Sequence, residues 1–272
     1  MSGATLRMGV CAVLPDYRAA VAELPVSAAS SESPRGSVVV VPGAGGWWDR
    51  ALAARAEGAA AIVIADPQDL PHEAREALRT LTDIPIIVER PRLRPDLVDD
   101  AIQGRAGIPA SIIAVECAAP ASELNPVIRD GFGWARVFAG GPLSILAGSA
   151  TAQARVALLE PRERRAGPAV TLAGNAEAGS GSGGLLRVLA LGEVRSEVSV
   201  DQAAGLARLE TCTEEGALVA PRRFEASARL ALRRAFEACS TGGAVTDVED
   251  FLDDCALGWD LAALVAAKDA SV

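Results

Sequence analysis

Chemistry in this chain has to be carried by carboxylates, arginines and backbone groups. The 272 residues include 26 Lys and Arg together, yet Lys268 is the sole lysine and His72 the sole histidine. A multi-histidine metal centre, a Ser-His-Asp triad away from His72 and a Schiff-base lysine outside the C-terminal stretch are therefore excluded. The remaining candidates sit at the ends of apolar runs. Asp66 follows an Ala/Ile/Val run ending at Ala65, Glu89, Arg90 and Pro91 follow a run ending at Val88, and Gly43, Gly45 and Gly46 follow the run Val38 to Val41. A carboxylate can act as a base once burial raises its pKa. A guanidinium can hold a carboxylate, a phosphate or a sugar hydroxyl, and glycine amides at a helix start can receive an anion. Each group also has a plainer reading: an ion pair at a strand end for Glu89 and Arg90, a tight turn for Gly43 to Gly46, and a surface residue in a first helical turn for His72.

Composition narrows the partners. A net charge of -9 opposes binding to phosphate backbones, and no Lys/Arg cluster interleaved with aromatics offsets it, so nucleic acid is not expected. No apolar run reaches the roughly 18 residues of a membrane helix, and the start lacks a signal-type apolar segment. A cytoplasmic chain with no membrane partner is the expectation. The five cysteines, Cys11, Cys117, Cys212, Cys239 and Cys255, are scattered without a CxxC pair, which points away from a disulfide framework or a zinc site. No metal is expected.

The elements that must position these groups fall into two parts. Residues 6–14 read as a strand and Tyr17 to Leu24 as a helix, with Ser27 to Gly36 an exposed loop. Buried strands at Ser37 to Val41, Ala60 to Ala65 and Ile84 to Val88 then alternate with helices at Trp47 to Glu57 and Leu70 to Leu81, the signature of a parallel sheet covered on both faces. A helix from Pro95 to Gln103 follows. Beyond it the strands become amphipathic: Ser111 to Val115, Ala154 to Leu159, Ala169 to Ala173, Leu185 to Leu191, Glu193 to Val200, Leu206 to Cys212 and Ala217 to Ala220. They are joined by turns such as Gly179 to Gly184. Helices at Glu225 to Cys239 and Val248 to Lys268 close the chain. The expected class is α/β plus α+β: an incomplete Rossmann-like domain, 1–112, and an open, mostly antiparallel sheet domain with a returning C-terminal helix, 113–272.

The stretch from Ile62 through Asp66-Pro67 to His72, the helix after it, and Ile86-Ile87-Val88-Glu89-Arg90-Pro91 resemble the glucose-fructose oxidoreductase and inositol dehydrogenase group, the Gfo/Idh/MocA family. Its members carry a strand ending in Thr-Pro or a similar pair, a His-initiated helix, and then Glu-Lys-Pro. The order of strands and closing helix after residue 193 is similar to the family's second domain. The resemblance implies an NAD- or NADP-dependent sugar or polyol oxidoreductase scaffold whose members pair through the open sheet of that domain. The departures are specific. Where the family has Gly-x-Gly-x-x-Gly, this chain reads Val10-Cys11-Ala12-Val13-Leu14-Pro15-Asp16, without glycine. The family's lysine is replaced by Arg90, no histidine lies in the second domain, and a β-α-β step is expected to be missing around residues 27–36.

Three functions follow as expectations. The first is a relative that has lost dinucleotide binding and catalysis, with no cofactor, serving as a structural or regulatory subunit in a homo-oligomer or with a catalytic homologue. The second is an active NAD(P)-dependent sugar or polyol dehydrogenase with an atypical loop. It would bind cofactor at Gly43, Gly45, Gly46 and Pro91 and hold substrate near Glu89, Arg90 and Asp66. The third is a small-ligand sensor, since Gly58 to Pro91 also resembles the sensory input domain of purine-catabolism regulators.

Overall fold

The Val- and Ile-rich runs form the middle of a parallel sheet in the computed structural model, which describes residues 7–81, 83–151, 153–163, 167–177 and 183–269. In chain order come β1 (Met8–Cys11), α1 (Pro15–Ala22), β2 (Ala28–Ser30), β3 (Val38–Pro42), α2 (Trp47–Ala56), β4 (Ala61–Ala65), α3 (Ala74–Arg79), β5 (Ile86–Glu89) and α4 (Pro95–Arg105). The five strands are parallel in the order β2-β1-β3-β4-β5. Every residue of β4 is buried, which explains its unbroken apolar sequence: both of its faces lie under helices.

The stretch read as an exposed loop, Ser27 to Gly36, contains β2, whose Ala28, Ala29 and Ser30 register with Met8, Gly9 and Val10. Three small residues in an edge strand leave no apolar periodicity to read. The β-α-β step expected to be missing is therefore partly present. Doubly wound dinucleotide-binding sheets have the order 3-2-1-4-5-6, and measured against it β2 occupies its place. Among the described residues it is the strand beyond β2 that is absent.

The second sheet is built from β6 (Ile112–Ala119), β7 (Leu143–Ala150), β8 (Ala154–Pro161), β9 (Ala169–Ala176), β10 (Leu185–Leu191), β11 (Arg195–Asp201), β12 (Leu206–Thr213) and β13 (Gly216–Val219), with α5 (Leu124–Ala139) between β6 and β7. Its order is β13-β12-β11-β10-β6-β9-β8-β7. All pairs are antiparallel except β6 with β9. Side chains alternate along each strand: Ile113, Val115 and Cys117 are buried, while Ile112 and Glu116 face out. The buried face lies against α5, where Gly131 lets helix and sheet approach closely. A Cβ there would stand 2.9 Å from Val115 Cγ1 and 3.0 Å from Cys117 Sγ. Sequence periodicity assigned no element to α5 or β7. The Gly179 to Gly184 turn lies outside the described residues except for Gly183 and Gly184.

The chain closes with α6 (Ser227–Thr241) and α7 (Asp247–Asp269). Two compact units result: Met1–Pro91 with Phe224–Leu252, and Arg92–Arg223 with Asp253–Val272. In the first, α6 packs on β4 and β5, and Leu232 joins Val10, Tyr17, Val40, Val63 and Ile87 in one core. In the second, Ile113, Val115, Leu172, Val188 and Val198 from the sheet meet Val127, Phe132 and Ala135 of α5. No helix among the described residues is long and apolar enough to cross a membrane.

Candidate functional site

Open α/β sheets bind ligands outside the carboxyl ends of their strands, where the strand order reverses. In the first unit that point lies between β1 and β3. Four segments surround it: the β1–α1 turn, the β3–α2 loop, and the ends of β4 and β5.

The β1–α1 turn runs Ala12-Val13-Leu14-Pro15-Asp16. Leu14 caps α1 without a side-chain hydrogen bond, Pro15 begins the helix, and Asp16 occupies its first turn. A pyrophosphate here would need close backbone approach and free amides. The turn has Val13 and Leu14 where close approach favours glycine, Pro15 has no N–H to give, and Asp16 adds a negative charge to the first helical turn. The Ala12 carbonyl is taken by Arg18 Nε at 3.2 Å.

The β3–α2 loop presents the opposite polarity to an anion cradle. Gly43 donates its amide to Ala65 O at 2.8 Å, and its carbonyl accepts from Gln68 N at 2.8 Å. The Arg50 guanidinium donates to Gly45 O at 2.7 Å and Pro42 O at 2.8 Å, and also reaches Ala44 O. Three carbonyls thus converge on a cation. Gly43 is required by contact: a Cβ there would lie 2.5 Å from both Ala65 O and Asp66 O. Gly45 faces open space, and Gly46, at φ +63°, caps α2. Asp49 adds a negative charge to the first turn of that helix.

Asp66 and Glu89 are brought together at the ends of neighbouring strands, where Ala65 registers with Glu89. Asp66 adopts a left-handed backbone, φ 45°, and its amide donates to the Glu89 carbonyl at 3.0 Å and to Glu89 Oε2 at 3.1 Å. Tyr17 on α1, the single tyrosine of the chain, faces the same carboxylates. Burial, then the charge of Glu89, push its hydroxyl well above the ordinary tyrosine pKa, so it stays protonated. Arg90 is buried, with its guanidinium carbon 5.9 Å from the centre of the Phe251 ring. That ring meets Trp47 edge-on at 5.7 Å. Pro91 ends the first unit. His72 is exposed in the turn before α3, apart from Gly45 and Gly46 in sequence and element. A carboxylate pair beside a protonated phenol can accept and orient hydroxyl or amine hydrogens. With neither His nor Lys in these segments, any proton transfer falls to the carboxylates. Among the described residues no group of His, Cys, Asp and Glu could hold a metal.

The second unit holds a buried charged cluster that residue spacing did not single out. Arg92 Nε donates to Asp130 Oδ2 at 2.7 Å, the two side chains being 5% and 0% exposed. Arg92 also reaches Gln202 Oε1, and its carbonyl accepts from Trp134 Nε1 at 2.8 Å. Arg129 lies 3.6 Å from the other Asp130 oxygen. Burial, then the Asp130 charge, push the neighbouring Cys117 thiol up, which makes it inert. Asp130 was legible only as a charge flanked by glycine and aromatic residues. Arg50 and Tyr17 gave no motif, because their partners are backbone carbonyls and distant carboxylates.

No protein-family model matches the sequence, and no curated protein matches it. Solved structures match over almost the whole chain. A UDP-N-acetylglucosamine 3-dehydrogenase from Acidithiobacillus ferrooxidans is 13% identical with a TM-score of 0.67, covering 97% of this chain and 98% of its own. The dehydrogenase MviM from Clostridium difficile is 9% identical, TM-score 0.65, covering 96% and 99%. A 3-ketoreductase from Actinomadura kijaniata, in complex with TDP-benzene and NADP, is 15% identical, TM-score 0.62, covering 96% and 98%. The fold is therefore that of Gfo/Idh/MocA-type dehydrogenases: a Rossmann-like parallel sheet unit and a mixed, mostly antiparallel sheet unit.

Proposed function

We propose that this chain is a non-catalytic relative of the Gfo/Idh/MocA dehydrogenases, which has given up dinucleotide binding and serves as a structural or regulatory subunit. The observation that carries this reading is the β1–α1 turn. At the switch point of the sheet, where the fold otherwise offers glycine amides to a pyrophosphate, this chain has Val13, Leu14, Pro15 and Asp16. An active dehydrogenase using the glycine-rich loop instead would need the amides of Gly43 to Gly46 turned outward. The Gly43 amide is bonded to Ala65, and the loop carbonyls are held by Arg50. Arg90 stays protonated and cannot replace a lysine base.

The open face of the eight-stranded sheet supports the subunit role. One face covers the core, while the other exposes Ile112, Val156 and Leu158 at 48%, 53% and 40%, more apolar surface than a solvated strand face needs. A homo-oligomer, or a pair with a catalytic homologue, would cover it.

Calorimetric titration with NAD, NADH, NADP and NADPH tests the reading. No saturable heat is expected up to millimolar ligand. Micromolar binding of any of the four overturns it and restores an NAD(P)-dependent sugar or polyol oxidoreductase as the reading.

A further inference from the structure

The hydroxyl of Tyr17 is buried without a task in the fold. Tyr17 is 3% exposed, and among the described residues its oxygen makes no hydrogen bond of ordinary length. A buried polar group left in that state lowers stability. Its surroundings show what it faces: Glu89, Asp66 and Asp16 are the charges that act on it.

Two of these carboxylates, at the ends of β4 and β5, are tied together by the Asp66 amide, which donates to Glu89 Oε2 at 3.1 Å. An ionised carboxylate accepts at about four positions, and this bond takes one of them. Asp66 and Glu89 are half-buried whereas Tyr17 is closed off. A group arriving from solvent therefore meets the carboxylates before the deeper hydroxyl.

The charge here is one-sided. Against Asp66 and Glu89 stands Arg90, whose guanidinium carbon lies 5.9 Å from the centre of the Phe251 ring, so the three side chains together carry one net negative charge. Asp16, exposed in the first turn of α1, adds another. The chain has no ammonium of its own to place there, because Lys268 is its single lysine and belongs to the other unit. A metal ion is a poor match, since among the described residues no group of His, Cys, Asp and Glu could hold one. A primary ammonium matches. It is protonated at neutral pH, as a lysine side chain with a pKa of about 10.4 is, and it carries three donors on one atom. One donor serves Asp66, one Glu89 and one the Tyr17 oxygen, while the phenol turns its own hydrogen to Glu89. A guanidinium spreads its donors in a planar fork, and a quaternary ammonium has none.

We propose that this chain binds a small primary alkylammonium ion at the carboxyl ends of β4 and β5, held by Asp66, Glu89 and the Tyr17 hydroxyl. The proposal rests on the non-catalytic reading above, because the ligand takes the crevice that a dinucleotide would fill, and it gives a regulatory subunit its signal.

Calorimetric titration of the full chain with n-propylamine at neutral pH tests it, with tetramethylammonium as the charge-only control and 1-propanol as the uncharged one. Propylamine is expected to bind saturably at about millimolar strength, as a ligand of so few atoms does, and the controls to give no saturable heat. Tyr17→Phe removes a hydroxyl that nothing in the fold holds. Without amine it is expected to unfold at no lower temperature than the parent, yet to bind propylamine about fivefold more weakly. Glu89→Gln keeps an acceptor for the Asp66 amide and is expected to weaken binding at least about tenfold. A purely structural tyrosine gives the reverse, a less stable Tyr17→Phe with unchanged amine affinity. That result, no saturable binding of propylamine up to about 10 mM, or equal binding of tetramethylammonium overturns the proposal. NADH titration of the same samples keeps the two questions apart: a chain that binds both NADH and propylamine overturns the non-catalytic reading alone, and one that binds neither overturns the amine site alone.

Discussion

The Asp247 carboxylate accepts a hydrogen bond from the Val88 backbone amide at 3.0 Å, closing the outer edge of β5 with a side chain. β5 is the last strand of the parallel sheet, so this amide has no strand to pair with. Arg234 of α6 holds the same carboxylate through both of its terminal nitrogens, at 2.8 and 2.7 Å. One residue at the start of α7 thus ties α6, α7 and the sheet edge together and protects the edge from pairing with another chain.

Replacing Asp247 with Ala is expected to lower stability by about 2 kcal/mol, because a buried amide and a partly buried guanidinium both lose a charged acceptor. Asp247→Asn keeps an acceptor for Val88 and is expected to lose less. Urea denaturation midpoints of the three proteins check the ranking, and equal midpoints would show that the contact contributes nothing.

The glycines of the β3–α2 loop are predicted to separate sharply. Gly43→Ala drives a methyl group into the backbone of Ala65, Asp66 and Pro67, where rigid atoms cannot give way, and is expected to cost about 2 kcal/mol or more. Gly45→Ala meets open space and is expected to stay within about 0.5 kcal/mol of the parent. Thermal unfolding of both variants tests this, and an intolerant Gly45 would point to a ligand role for the loop.

These contrasts show where the sequence was readable. Val38 to Val41 and Ala61 to Ala65 announced a sheet buried on both faces, because strands under two layers of helix need no polar alternation. The ends of β4 and β5 followed at once, and with them the neighbourhood of Asp66 and Glu89. Two elements did not announce themselves. β2 is three small residues with one buried side chain. α5 carries Gly131 for close packing and buries Arg129 and Asp130, residues that look like loop and surface in a sequence. Asp247 pairs with Val88 across 159 positions, and Arg50 binds backbone carbonyls, which leave no trace in residue types.

Stability is expected to fall in acid partly through Asp96. Burial pushes its carboxyl up, but the Arg94 hydrogen bond and the charges of Arg94 and Arg223 outweigh it, and the folded pKa lies below the ordinary 3.8. A depressed folded pKa contributes stability that is complete above 3.8 and is lost as pH falls through the lower folded value. Asp96→Asn is therefore expected to flatten the decline in denaturation midpoint below about pH 4 while lowering the midpoint at neutral pH. Parallel curves for the two proteins would assign the acid sensitivity elsewhere.

The Arg92–Asp130 pair in the second unit offers the sharpest energetic test, because both side chains are almost fully buried. Removing one partner strands the other charge: Asp130→Ala leaves the Arg92 guanidinium in a dry site and is expected to cost about 3 to 5 kcal/mol. Replacing both, as in Arg92→Met with Asp130→Leu, removes the stranded Arg92 charge but still takes Asp130 from the buried Arg129, and is expected to recover part of that loss. Denaturant unfolding of the single and double variants gives the coupling directly. A double variant as unstable as Asp130→Ala would mean that the links from Arg92 to Gln202 and Trp134 matter more than the ion pair itself.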